Sequence, residues 1–287
     1  MTERGAVQGA VLRAGDVRLT VDYRQGGRMA SLRIGEREVL LTEGWGPINW
    51  GCYPMAPFAG RIRDGRFSFR GRDVQLPLNL PPHAIHGTVF ERPWEVVAHA
   101  DDGLVLTTDL GPGWPFRGNV TQSIELGLGG LDATLTLQAD EPMPAALGWH
   151  PWFRRHLGDG RDGSGATSAE VELVVDAGSM YERGADGLPT GALVRPMPRP
   201  WDDAFTDVRT SPIVRWPGAL EIALSSTAAV WVVYDERAEG VCVEPQTAPP
   251  DAINLAVAAG TEPDIADPHQ PMTASMAWRW RDLGRER

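Results

Sequence analysis

The chain has 287 residues, a formal net charge of −11 and an ordinary hydrophobic fraction of 42%, enough for a large core of a globular protein. The acidic balance excludes nucleic acid as the main partner, because phosphate backbones need a basic face. The absence of any lysine excludes chemistry built on a lysine Schiff base, pyridoxal phosphate included.

In chain order, the opening MTERGAVQGAVLRAGD carries no apolar signal-peptide core, and no later run is long enough to span a bilayer, so a cytoplasmic location is expected. Period-two alternation then predicts strands at 17–23, 29–34, 67–70, 94–100 and 104–109. Segments 119–126 and 131–139 flank GLGG and read as a hairpin. In the second of these, Leu131, Ala133, Leu135, Leu137 and Ala139 alternate with polar residues. Further strands are expected at 170–176, 220–225, 229–234, 241–244 and 273–280, with surface loops at 157–168 and 184–201. The 33 glycines and 24 prolines suit many turns and oppose long helices, and no strong amphipathic helix is visible. Many short strands with frequent breakers predict an all-β fold, a large sandwich of stacked sheets, as a single domain over 1–287.

Four separated motifs carry the chemistry. Glu244 follows the strand-like Val241-Cys242-Val243 and precedes Pro245, which favours extended backbone. A carboxylate at the end of a buried strand suits a general base, and burial would raise its pKa. A salt-bridged strand-edge carboxylate is the alternative. His150 lies in GWHPWF, where it could pass a proton near neutral pH while aromatics such as Trp152 offer stacking surface for a sugar. A hydrogen-bonded core histidine is the alternative there. His83 and His86 lie in PPHAIHG at i, i+3, but the prolines and glycine and the lack of further ligands argue against a metal site. His86, backed by Gly87, is the better site residue, with the glycine letting a ligand approach.

Arg61 and Arg63 lie in PFAGRIRDGRF, where Asp64-Gly65 reads as the start of a hairpin turn. Arg61 is the candidate for holding hydroxyls, and surface charge suffices for Arg63. Asp203, in PWDDAF, could accept paired hydroxyls beside aromatics, or merely cap a turn. Cys52 and Cys242 lack CxxC spacing, so neither a disulfide scaffold nor a cysteine zinc site is expected. Cys242 would share a strand face with Glu244 and reads as a small core thiol.

Taken in this order, PFAGRI, the HG pair, the histidine–aromatic motif, DDAF and EPQTAPPDAIN resemble the aldose 1-epimerase family, the galactose mutarotases and their relatives. The resemblance runs from about Asn49 to Asn254. It implies a large antiparallel β-sandwich of the galactose mutarotase type. It also implies that Glu244 takes a proton from the anomeric hydroxyl while His150 protonates the ring oxygen. His86 would bond near that oxygen, and Arg61 and Asp203 would hold hydroxyls, with no metal or organic cofactor. Gly60 stands where the family often has asparagine, and Thr88-Val89-Phe90 replaces a glycine-rich continuation. These departures leave room for a hexose-6-phosphate 1-epimerase, with Arg154 and Arg155 as phosphate candidates. A non-catalytic carbohydrate-binding protein is an alternative of another class. A small-molecule sugar is the expected partner of a monomer or homodimer, without nucleic acid or membrane.

Overall fold

The computed structural model describes residues 9–157 and 169–284. Almost all of the loop expected at 157–168 lies outside the described residues. Among them, the strands gather into two large antiparallel sheets of eleven and eight strands. The long path of the first sheet runs Ala10–Ala14, Val17–Asp22, Arg28–Ile34, Cys52–Met55, Gly148–Arg154, Gly240–Gln246, Val230–Tyr234, Asp202–Val208, Ala177–Arg183 and Pro189–Val194. The second runs Glu95–His99, Gly103–Asp109, Gly118–Gly127, Gly130–Ala139, Met272–Asp282, Leu220–Ser226, Ile213–Trp216 and Glu172–Val174. The expected all-β sandwich is therefore present.

The second sheet forms as its alternation dictates. Val120, Ile124 and Leu126 point inward from one strand, and Leu131, Ala133, Leu135 and Leu137 from its hairpin partner. Register is continuous from Gly118↔Ala139 to Gly127↔Gly130, so the turn is the two residues Leu128 and Gly129. A one-residue slip would turn every apolar side chain to solvent.

The middle of the first sheet follows a different rule. Cys52–Met55, Gly148–Arg154 and Gly240–Gln246 are covered on both faces. On one face Trp149, Phe153, Val241 and Val243 join the main core. There Phe153 packs on Trp278 of the second sheet, with ring centroids 5.0 Å apart. The intervening residues His150, Trp152, Cys242, Glu244 and Gln246 turn to the other face by the two-residue period of a strand. The core thus fixes, residue by residue, which side chains reach the opposite face.

Three differences from the sequence expectation have local causes. Asp64-Gly65 belongs to a 3-10 turn, Arg63–Gly65, which leads into the hairpin of Arg66–Phe69 with Arg72–Gln75; Arg70 and Gly71 make the hairpin's turn. Segment 184–201 contains the strand Pro189–Val194, an edge strand whose middle is exposed and so shows no apolar alternation. One short helix, Ala252–Ala258, follows the glutamate motif, and only Ile253 of it is buried. Among the described residues no helix is long and apolar enough to cross a membrane.

Candidate active site

A cavity of about 490 Å³ opens on the non-core face of the first sheet. Glu244 and His150 lie on paired strands, with Gly148 opposite Gln246 and Trp152 opposite Cys242. That register brings His150 Nε2 to 3.2 Å from Glu244 Oε1. Gln246 donates from Nε2 to the second carboxylate oxygen at 3.0 Å. Glu244 is 2% exposed and His150 6%, so the pair is nearly dry yet faces the cavity.

Aromatic rings fix the imidazole. Tyr53, paired with His150 across the sheet, stacks on it with centroids 4.9 Å apart and 20° between planes. Trp152 lies 5.6 Å away at 24°, its indole N–H donating to the Ile48 carbonyl at 2.7 Å. Trp152 lines the cavity but is only 3% exposed, so it buttresses His150 more than it offers an open face. His86 meets His150 edge-on at 4.8 Å and 82°.

His86 and Arg61 arrive together because Arg61–Ile62 pairs with Ala84–Ile85. His86 and Gly87 both hold positive φ, 61° and 80°, which turns the chain at the cavity wall. The role expected for Gly87 is corrected here. A Cβ at this position would lie 2.0 Å from the Ala56 carbonyl oxygen, so the missing side chain admits a neighbouring backbone and not a ligand. Gly60 has φ +67°, and a Cβ there would lie 2.7–2.9 Å from Pro250, so this position needs glycine for space as well as for conformation. His83 parts from His86: its Nδ1 accepts the Asp64 backbone N–H at 3.1 Å.

The arginine and glutamate motifs are joined by Asp251, which sequence reasoning missed. It is 2% exposed. Its backbone N–H donates to the Arg61 carbonyl at 2.7 Å, and its carboxylate accepts from the Arg63 backbone N–H at 3.0 Å and side-chain Nε at 3.2 Å. Arg63 also pairs with Asp186. PPDAIN and GRIRDG thus need each other to set Arg61 at the cavity. The spacing of either motif alone carries no such signal.

Arg61 Nη1 lies 3.7 Å from Asp202 Oδ2. Asp203 also lines the cavity, but its Oδ1 is 3.3 Å from Arg183 Nε. Asp202 is thus a second site residue that sequence reasoning passed over in favour of its neighbour. Arg28 is a third. It is 1% exposed, its guanidinium 4.2 Å from the Trp50 ring and 4.8 Å from Tyr53, and it donates to the carbonyls of Trp50 and Phe90. In the sequence it follows Gly26-Gly27 and resembles a turn charge.

Electrostatics follow burial. Desolvation, with the negative charge of Asp202 added, pushes the Glu244 carboxyl well above its ordinary range, against the hydrogen bond from Gln246 and the charge of Arg61. Desolvation also lowers His150 to about 3, with Arg28 and Arg61 contributing. His86 is pushed well below its ordinary value, by burial first and by His150 and Arg61 after it. A low-dielectric site disfavours both charged forms, which favours a neutral imidazole beside a protonated carboxyl over a charged pair. That couple carries one proton, as an ion pair would. Nearby, His86 Nδ1 and Gln246 Oε1 are buried without a hydrogen-bond partner. Such orphaned atoms are uncommon in native interiors and mark a place for a polar guest.

Comparison with known proteins bears on the family and the fold. The family model for aldose 1-epimerase matches residues 11–253. The uncharacterized protein YphB of Escherichia coli (strain K12) is 33% identical over 126 residues, which is 42% of this chain and 41% of that protein. A galactose mutarotase-like protein from Clostridium acetobutylicum has a TM-score of 0.80 at 16% identity, covering 95% of this chain and 94% of the other. An aldose epimerase homologue from C. elegans has a TM-score of 0.78 at 17% identity, covering 97% and 100%. At these identities the structural likeness speaks for the fold alone. The family match spans Arg61, His86, His150, Asp202 and Glu244, and the chain belongs to the aldose 1-epimerase family.

Proposed function

We propose that this protein is an aldose 1-epimerase that interconverts the α and β anomers of a free aldose by opening and reclosing the sugar ring. The contact between His150 Nε2 and Glu244 Oε1, 3.2 Å at the floor of the cavity, carries the reading. Ring opening must remove a proton from the anomeric hydroxyl and deliver one to the ring oxygen, two atoms bonded to the same carbon. An acid and a base that already share one proton at hydrogen-bond distance suit that exchange.

A sugar entering the cavity separates the couple, and the one shared proton passes from Glu244 Oε1 to His150 Nε2 as it does so. Glu244 then faces the anomeric hydroxyl as base and His150 the ring oxygen as acid. The charges of that reactive form are stabilised by Arg61 beside the carboxylate and by the hydrogen bond from Gln246. As the C1–O5 bond breaks, the C1 hydroxyl becomes the aldehyde carbonyl. Rotation about C1–C2 presents the other carbonyl face, and reclosure returns both protons. His86 serves the ring-oxygen side, while Arg61 and Asp202 hold hydroxyls. Asp203 contributes through Arg183, and Trp152 holds the acid in place. The sequence runs on side-chain protons, without a cofactor.

A phosphosugar substrate draws no support from the two arginines first considered for it. Arg154 Nε donates to the Leu40 carbonyl at 3.0 Å, and Arg155 is engaged by Glu170 and by the carbonyls of Asp235 and Arg237. Sugar binding without catalysis would not need the buried acid–base couple. Polarimetry on freshly dissolved α-glucose and α-galactose, with NMR anomer exchange on glucose 6-phosphate, tests the proposal. Acceleration is expected with a free sugar; acceleration with the phosphosugar alone would overturn it.

A further inference from the structure

We infer that His150, Cys242 and Glu244 form an inhibitory zinc site at the floor of the cavity. Cys242 stands two residues before Glu244 on Gly240–Gln246, so both side chains leave the same face, and His150 reaches that face from the paired strand. One ligand atom from each lies within 4.8 Å of the other two. All three residues are buried, so these are not solvated surface groups that happen to be near one another.

The donor set selects the metal. One imidazole nitrogen, one thiolate and one carboxylate oxygen match zinc, whereas magnesium and calcium prefer oxygen throughout. In a tetrahedral site, with Zn–N about 2.0 Å and Zn–S about 2.3 Å, ligand atoms sit about 3.3–3.8 Å apart. The His150–Glu244 contact already has that spacing at 3.2 Å, and the three donor atoms lie within 4.8 Å of one another before any adjustment to a metal. His150 and Glu244 line the cavity, which leaves the fourth position open to water or a sugar hydroxyl. Coordination displaces two protons, one from the thiol and the one held by the His150–Glu244 couple.

Metal bound there occupies both atoms that the proposed proton transfer needs, so zinc should inhibit. The inhibition rests on the reading above, but the metal binding does not. Cys242 is given no role in that reaction, so its replacement should spare basal turnover.

Cobalt(II) makes the site visible. Titration of the full chain should give a thiolate-to-cobalt charge-transfer band at one equivalent, displaced by zinc. The band should be absent in Cys242→Ser and in Cys242→Ala, the latter adding no polar group to a buried position. It should persist in Cys52→Ala, because Cys52 faces the core. In the anomer assay, zinc should abolish activity, EDTA should restore it, and Cys242→Ala should need at least about tenfold more zinc for the same effect. No cobalt band, or equal zinc sensitivity of the wild type and both Cys242 variants, would overturn the site. A cobalt band in a protein inactive on every sugar would uphold the metal site while removing the epimerase reading.

Discussion

Asp202 and Asp203 are consecutive, yet their carboxylates meet different arginines, Asp202 beside Arg61 and Asp203 beside Arg183. Sheet register explains the division. Asp202 lies opposite Tyr234, and Tyr234 opposite Cys242, which places Asp202 on the face of Glu244. Asp203 lies opposite Val233, whose side chain packs with Phe205 and Met180. Asp202→Asn should therefore raise KM for the sugar by about tenfold or more, the scale of a hydrogen bond to a charged group. It should also move the alkaline limb of the rate to lower pH, because the charge of Asp202 raises the proton affinity of Glu244. Steady-state kinetics of Asp202→Asn and Asp203→Asn in parallel test this, and a larger KM effect from Asp203→Asn would contradict it.

The buried couple sets the pH profile. Burial lowers His150 to about 3, so a second proton is taken up only in strongly acid solution. Burial and Asp202 raise Glu244, so the first proton is retained well above the ordinary carboxylate range. The one-proton couple therefore persists from strongly acid solution to well above the ordinary carboxylate range. The value of kcat/KM, which reports the free enzyme, should stay level through pH 6.5 and fall only towards about 3 on the acid side. An acid limb centred at the ordinary imidazole value would show that His150 is not desolvated.

Gln122 is the one polar residue in the inward row of Gly118–Gly127. It is fully buried, accepting from the Trp149 indole N–H at 3.0 Å and donating to the Gly27 carbonyl at 2.7 Å. It ties the second sheet to the strand of His150 and to the turn before Arg28. Gln122→Leu should leave a buried donor and acceptor unpaired and cost about 1–3 kcal/mol or more in denaturant unfolding. A neutral substitution would mean that the bridge contributes nothing net.

Gly87→Ala should destabilise the fold and lower activity together. The added methyl lands against the Ala56 carbonyl, and the residue would hold φ +80°, a conformation costing about 1–3 kcal/mol. Because His86 is the preceding residue, relief of the clash moves its ring. Unfolding and turnover measured on one preparation test the coupling; an alanine variant with wild-type stability and rate would exclude it.

The sequence exposed most of the second sheet because its strands have one dry face and therefore alternate. The middle of the first sheet was harder to see. Gly148–Arg154 and Cys52–Met55 are covered on both sides and contain prolines, so neither alternates. Their burial pattern depends on the partner sheet and on the cavity. The helix Ala252–Ala258 is too short and too little buried to show a helical stripe.

At the site, Glu244, His150, His86 and Arg61 stood out because glycine, proline or aromatic neighbours flag each of them. Asp202 against Asp203 is a question of strand register, which two adjacent identical residues cannot reveal. Arg28 and Asp251 act through distant backbone carbonyls and amides, contacts that only the folded chain brings about.

The measurement closest to the central claim is anomer exchange by Glu244→Gln, followed by NMR or polarimetry, beside sugar binding to the same variant. The amide keeps the shape of the carboxyl and an oxygen for Gln246, but cannot take the proton. Turnover should fall about 10²–10⁴-fold, the usual contribution of a general base, while sugar affinity stays close to wild type. Undiminished turnover in a variant that still binds sugar would contradict the assignment of Glu244 and, with it, the account of the site.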